Sequence, residues 1–140
     1  MNRTELREQI FQLLFRVEFN TKEEMSEQEE LFTTEGDLDF SKSDADYIRD
    51  KYEKIAEKLE DIDKAINEKA TGWDTKRMAK VDLTIIRLAV YEIQYDESVP
   101  TGVAINEAVE LAKKFGQDGS PAFVNGVLAK FSQLIYSHTG

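Results

Sequence analysis

Cysteine is absent from the 140 residues, and histidine occurs once, at His138 near the end. These absences exclude a disulfide framework and a thiolate metal site, and with one imidazole no metal centre is expected. No strand-like alternation, internal repeat or low-complexity segment is present. The chain also lacks a glycine-rich phosphate loop, a GxSxG elbow, an HExxH pair and a Cys-His pair. Its many carboxylates fall on acidic helices, where spacing carries almost no catalytic information. Neither an enzyme nor a cofactor is therefore expected. The opening MNRTELREQI mixes charged with apolar residues and holds no signal-peptide core, so a cytoplasmic location without a membrane role is expected.

Positive charge is scarce too. The net charge is −10, and it is unevenly spread: residues 1–70 carry 11 basic and 20 acidic side chains, residues 71–140 carry 7 and 8. Phosphate binding rests on Lys and Arg, so any nucleic-acid site must be local and built from few cations. Taken alone, the charge favours a basic protein partner.

What the sequence does hold is helical periodicity. KVDLTIIRLAVYEIQY, Lys80 to Tyr95, places apolar residues almost all round a helical wheel, the mark of a helix enclosed by other helices. Asp82, Arg87 and Glu92 interrupt it well short of the ~20 apolar residues a membrane span needs. Residues 3–19 form an amphipathic helix in which Arg3, Arg7, Phe11 and Phe15 follow at steps of four. Each such step turns the wheel by only about 40°, so they make one stripe of cations leading into aromatics. From the residues alone two readings stay open: solvated arginines over core phenylalanines, or a strip for single-stranded nucleic acid, where bases stack and phosphates pair.

Residues 22–33 predict a short acidic helix, followed by a loop anchored by Leu38 and Phe40. Ser43 with Asp46 resembles a capping box opening a long helical segment to about Ala70, with a break near Leu59 to Ile62. Gly72 suits the left-handed end of that segment. Trp73 reads more readily as a packing plug than as a ligand platform, and Lys76, Arg77 and Lys80 form the densest basic cluster. Thr101 can cap a helix to Phe115 bearing a Glu110 to Lys114 pair, and Ser120-Pro121 opens a last helix with Phe123, Val124, Val127, Leu128, Phe131, Leu134 and Ile135 inward. Asn125-Gly126 breaks helical preference there. Close approach of a neighbouring helix would explain Gly126, and a buried hydrogen bond to Asn106 would explain Asn125.

Three segments together resemble the NusB family: VDLTIIRLAVYEI (Val81 to Ile93), VPTGVAINEAVELAKKFG (Val99 to Gly116) and FVNGVLAK (Phe123 to Lys130), with REQIFQLLF in the first helix. The resemblance implies an all-α fold of two three-helix bundles sharing a central helical core. It is expected as one domain over residues 1–140, with bundles at 1–72 and 73–140. It further implies a non-catalytic transcription antitermination factor that supports ribosomal RNA transcription. The implied partners are single-stranded boxA RNA, the small-subunit ribosomal protein NusE and the RNA polymerase antitermination complex. By position, the RNA surface would include Arg3, Arg7, Asp118, Gly119, Ser120, Phe123 and Asn125, and the protein-partner surface Phe15 and Asp82. Lys76, Arg77 and Lys80 join the RNA set on charge and position.

Thr4 and Glu5 interrupt a first helix that is richer in arginine in a well-known branch of the family, and Leu83 stands where many members carry arginine. These departures imply weaker RNA binding by the isolated chain and more reliance on the protein partner. Some members self-associate, so a homodimer is a further expectation to test. The alternatives are a protein-only interaction module and a detached accessory domain of an RNA methyltransferase. The second would call for a cofactor-binding glycine motif and a Cys nucleophile, and neither is present.

Overall fold

The computed structural model describes residues 1–36 and 38–139, with side chains described as far as Ser132. Leu134, Ile135 and His138 lie outside the described side chains. Seven α-helices and no strand occur among the described residues, in agreement with the all-α expectation. The chain divides into two compact units, Met1–Glu57 and Lys58–Gly140.

The first unit holds α1 (Arg3–Phe15), a 3-10 turn (Arg16–Phe19), α2 (Lys22–Thr34) and α3 (Lys42–Glu57). Two capping boxes start its first two helices. The Asn2 side chain accepts from the Glu5 amide at 2.8 Å while Glu5 Oε1 accepts from the Asn2 amide at 3.2 Å. Thr21 and Glu24 repeat the arrangement. Each box satisfies two donors that a helix start otherwise leaves open. At α3 the Ser41 hydroxyl accepts from the Asp44 amide, so the cap falls two residues before the Ser43 and Asp46 box that the sequence predicts. Ile10, Leu13 and Leu14 of α1 are buried, as are Ile48, Tyr52 and Ile55 of α3, and the two helices pack together. Phe40 anchors the loop after α2 by stacking on Phe32 at 6.0 Å. Leu38, the other expected anchor, is exposed instead.

The long helical segment breaks at Lys58, between the end of α3 and the start of α4 (Leu59–Lys69). The second unit continues with α5 (Lys80–Tyr95), α6 (Thr101–Phe115) and α7 (Ser120–Thr139). Helix α5 packs against α4, α6 and α7, which explains its nearly all-round apolar wheel. Leu83, Ile85, Ile86, Leu88, Ala89 and Val90 are all buried. Helix α4, which the sequence pattern groups with the first bundle, packs against α5 and α7. A two-pronged ion pair fixes it there: Arg87 Nε donates to Asp63 Oδ1 at 2.8 Å and Nη2 to Oδ2 at 2.7 Å. Arg87 is thus the half-buried clamp between two helices, not merely an interruption of the apolar run.

Gly72, with φ +86°, takes the left-handed conformation after α4. Thr101 is the first helical residue of α6 and makes no cap; Pro100 holds the N-cap position. Glu110 pairs with Lys113 at 3.1 Å, three residues on, where the sequence suggests Lys114. The Asn125-Gly126 expectation is overturned. Both residues are exposed, as is Asn106, and a Cβ added at Gly126 would meet nothing within 4 Å. Neither a close helix nor a buried hydrogen bond accounts for that dipeptide.

Candidate RNA and protein-partner surfaces

In the first unit Arg3 is exposed on the opening turn of α1. A cation there faces the positive end of the helix dipole, an unfavourable place by itself. Arg7, one turn further, is only 6% exposed. The two arginines therefore differ: one is available to solvent, the other is part of the buried side of the helix.

The aromatic end of the stripe is better organised than the spacing suggests. Phe11 is buried, Phe15 is half-buried, and Phe19 is 62% exposed. Their rings form a ladder, 6.2 Å from Phe11 to Phe15 and 5.2 Å from Phe15 to Phe19, the last step edge-to-face. Phe19 was legible, since it continues the same step of four, but it follows the end of α1 and lies in the 3-10 turn. The ladder carries apolar contact from core to surface at the position of Phe15.

In the second unit the loop between α4 and α5 is pinned at several points. Asn67 Oδ1 accepts from the Thr75 amide at 2.8 Å, Asp74 Oδ1 accepts from the Arg77 amide at 3.1 Å, and the Met78 side chain is buried. Lys76, Arg77 and Lys80 are exposed along it. The same loop presents Trp73, which is 49% exposed and meets the half-buried Phe123 ring edge-to-face at 5.3 Å. Trp73 is not the plug that the sequence favours, because its ring lies on the surface of α7 instead of between helical layers. Through that contact the structure joins the basic loop to Phe123.

The turn before α7 is open at Asp118 and Gly119, both exposed. Ser120 is different: it is buried, and its hydroxyl accepts from the Gln117 amide at 2.9 Å. Gly116 makes room for it, since a Cβ there would come within 2.5 Å of the Ser120 Cβ. The turn geometry that orients Asp118 and Phe123 thus depends on a glycine and a buried hydroxyl. Asn125 is exposed two residues beyond Phe123. Asp82, in the first turn of α5, is 9% exposed, and its Oδ1 receives no hydrogen bond among the described residues. A buried acceptor left open is costly, so that carboxylate is suited to a donor from outside.

The NusB family model matches residues 4–133, nearly the whole chain. The chain belongs to the NusB family. It is 55% identical over 132 residues to a transcription antitermination protein NusB of Agathobacter rectalis, covering 94% of this chain and 100% of that relative. Among solved structures, NusB of T. maritima superposes with a TM-score of 0.82 at 32% identity, covering 95% of this chain and 92% of that one. A crystal structure of the antitermination factors NusB and NusE in complex with dsRNA contains a chain with a TM-score of 0.81 at 23% identity, covering 94% and 96%. At that identity the likeness speaks for the fold alone. Membership in the NusB family agrees with the resemblance seen in the three sequence segments, and no helix among the described residues is long and apolar enough to cross a membrane.

Proposed function

We propose that this NusB-family chain is a cytoplasmic, non-catalytic transcription antitermination factor that binds boxA-type single-stranded RNA jointly with the ribosomal protein NusE, within an RNA polymerase antitermination complex. The observation that carries the reading is the 55% identity, over 94% of this chain and the whole of the relative, to a protein named for antitermination. Arg3, Lys76, Arg77, Asp118, Gly119, Phe123 and Asn125 are the accessible members of the RNA set, with Lys80 at the start of α5. Arg7 and Ser120 serve by holding their neighbours, since both are buried. Phe15, extended to the surface by Phe19, and Asp82 are the protein-partner contacts.

The pattern of few, local cations implies a modest salt dependence, because each phosphate contact adds a fixed increment to the slope of log affinity against log salt. With the basic ribosomal protein present, boxA-type RNA is expected to bind more tightly than a scrambled oligonucleotide. Equal affinities for the two would remove sequence-specific recognition. Co-purification from cells with and without ribonuclease separates this reading from a protein-only module, in which RNA digestion would leave the partners unchanged.

A further inference from the structure

Trp73 exposes about half of a large apolar side chain. Its ring lies at the end of a loop held by Asn67, Asp74 and Met78. An exposed indole is costly where nothing meets it, yet this one is fixed in orientation by the edge-to-face contact with Phe123. Lys76 and Arg77, both exposed, follow three and four residues later on the same pinned loop. The first unit has net charge −8, whereas the second, which carries this loop, has −2, so the loop lies in the less repulsive part of the chain for an anion. An exposed apolar face, packed on Phe123 and sharing its loop with two exposed cations, matches one chemistry closely: an unpaired base on the ring with its phosphates on the cations.

We propose that Trp73 is a base-stacking platform for single-stranded RNA, buttressed by Phe123 and served by Lys76 and Arg77 of the same loop. The proposal rests on the RNA binding proposed above and adds a residue and a mode of contact to it. Stacking is tolerant of base identity, since every base has a π-face. Trp73 therefore contributes affinity for unpaired RNA over duplex, and the discrimination of sequence falls to other residues.

Trp73 is the only tryptophan in the chain, so its emission reports the contact directly. The full chain is titrated with a labelled boxA-type single-stranded oligoribonucleotide, with the basic ribosomal protein present and Trp73→Phe as the emission blank. Inorganic polyphosphate serves as a probe with charge but no bases. RNA should quench the Trp73 emission and polyphosphate should not. Anisotropy of the label should show Trp73→Leu binding about tenfold more weakly, and Trp73→Phe within about threefold of the parent. The salt slope should stay the same in Trp73→Leu and fall by about one in Lys76→Ala. Thermal melts of both Trp73 variants identify a loss of fold, and Trp73→Phe, which keeps a ring against Phe123, then carries the test through its affinity and salt slope.

RNA binding with unaltered Trp73 emission and undiminished Trp73→Leu affinity would overturn the platform while leaving RNA binding intact. Equal quenching by polyphosphate, or quenching by the ribosomal protein alone, would assign the ring to something other than a base. Absence of RNA binding in the parent chain, with partner present, would overturn both the platform and the function on which it rests.

Discussion

The two units differ in their balance of charge. Residues 1–57 carry 8 basic and 16 acidic side chains, whereas residues 58–140 carry 10 and 12. In the first unit several cations are drawn back onto the protein: Arg7 and Lys51 are buried, and Arg16 lies 5.0 Å over the Phe32 ring while bonding Gln28 at 2.9 Å. In the second, Lys76 and Arg77 stand in solvent on a loop whose Thr75 and Arg77 amides are bonded to Asn67 and Asp74. The difference teaches that the total of −10 describes the acidic first unit and says little about an anion site in the second. Potential at a surface depends on which charges reach it.

The strongest way to break the comparison is to remove a cation that the second unit uses internally. Arg87 joins α5 to α4 through two hydrogen bonds to Asp63. Its removal in Arg87→Ala leaves a partly buried carboxylate without its partner, and is expected to cost about 2–3 kcal/mol in denaturant unfolding. Lys76→Ala, on the surface of the same unit, should change stability by less than about 0.5 kcal/mol. Equal losses in the two variants would mean that the basic loop is a structural part of the unit and not a free surface.

The first unit offers the counterpart, a carboxylate taken out of water. Burial pushes the Glu29 carboxyl of α2 up from 4.5 to about 7, helped by a hydrogen bond and repulsion from Glu53 and opposed by Arg49. The neighbouring Tyr52 hydroxyl is held up to about 12 by burial and by the same two carboxyls. A carboxyl whose pKa is higher folded than unfolded favours the folded state in its protonated form. That stability is fully present below about pH 4.5 and is lost as pH rises through about 7. Glu29→Gln should remove this pH dependence and stabilise the protein by about 1–2 kcal/mol at pH 8, a figure reduced for solvent screening of the pair. Urea melts at pH 5 and pH 8 measure it, and a parent chain equally stable at both values, after correction for the variant, would contradict the shift.

Much of this architecture was legible because it follows from periodicity. Helix α5 matches its expected limits, since burial on every side leaves an apolar pattern that no surface helix shows. A break was legible from length alone, though it falls at Lys58, just before the expected Leu59 to Ile62. The surface was harder to read. Trp73 resembles a core residue by composition, and its 49% exposure reveals a ring lying on the outside. Arg7 resembles a solvated cation by its charge, yet is buried. In both cases the side chain is long enough to go either way, and its own composition does not decide the outcome. Ser120 was expected in an RNA contact, while its buried bond to the Gln117 amide makes it part of the turn.

Gly126 gives the smallest effect and the sharpest use of the comparison. It lies in the helical interior of α7, exposed, with open space where a Cβ would be. Glycine in such a place destabilises a helix by roughly 1 kcal/mol relative to alanine. Gly126→Ala should therefore stabilise the chain by about 0.5–1 kcal/mol, a rise of about 2–4 °C in Tm. A ligand backbone approaching beside Asn125 would be the reason to keep the glycine, because only a residue without a Cβ leaves that surface low. The variant should then bind single-stranded RNA more weakly while melting higher, a combination that no loss of fold can produce. Higher stability with unchanged affinity would take Gly126 out of the RNA surface.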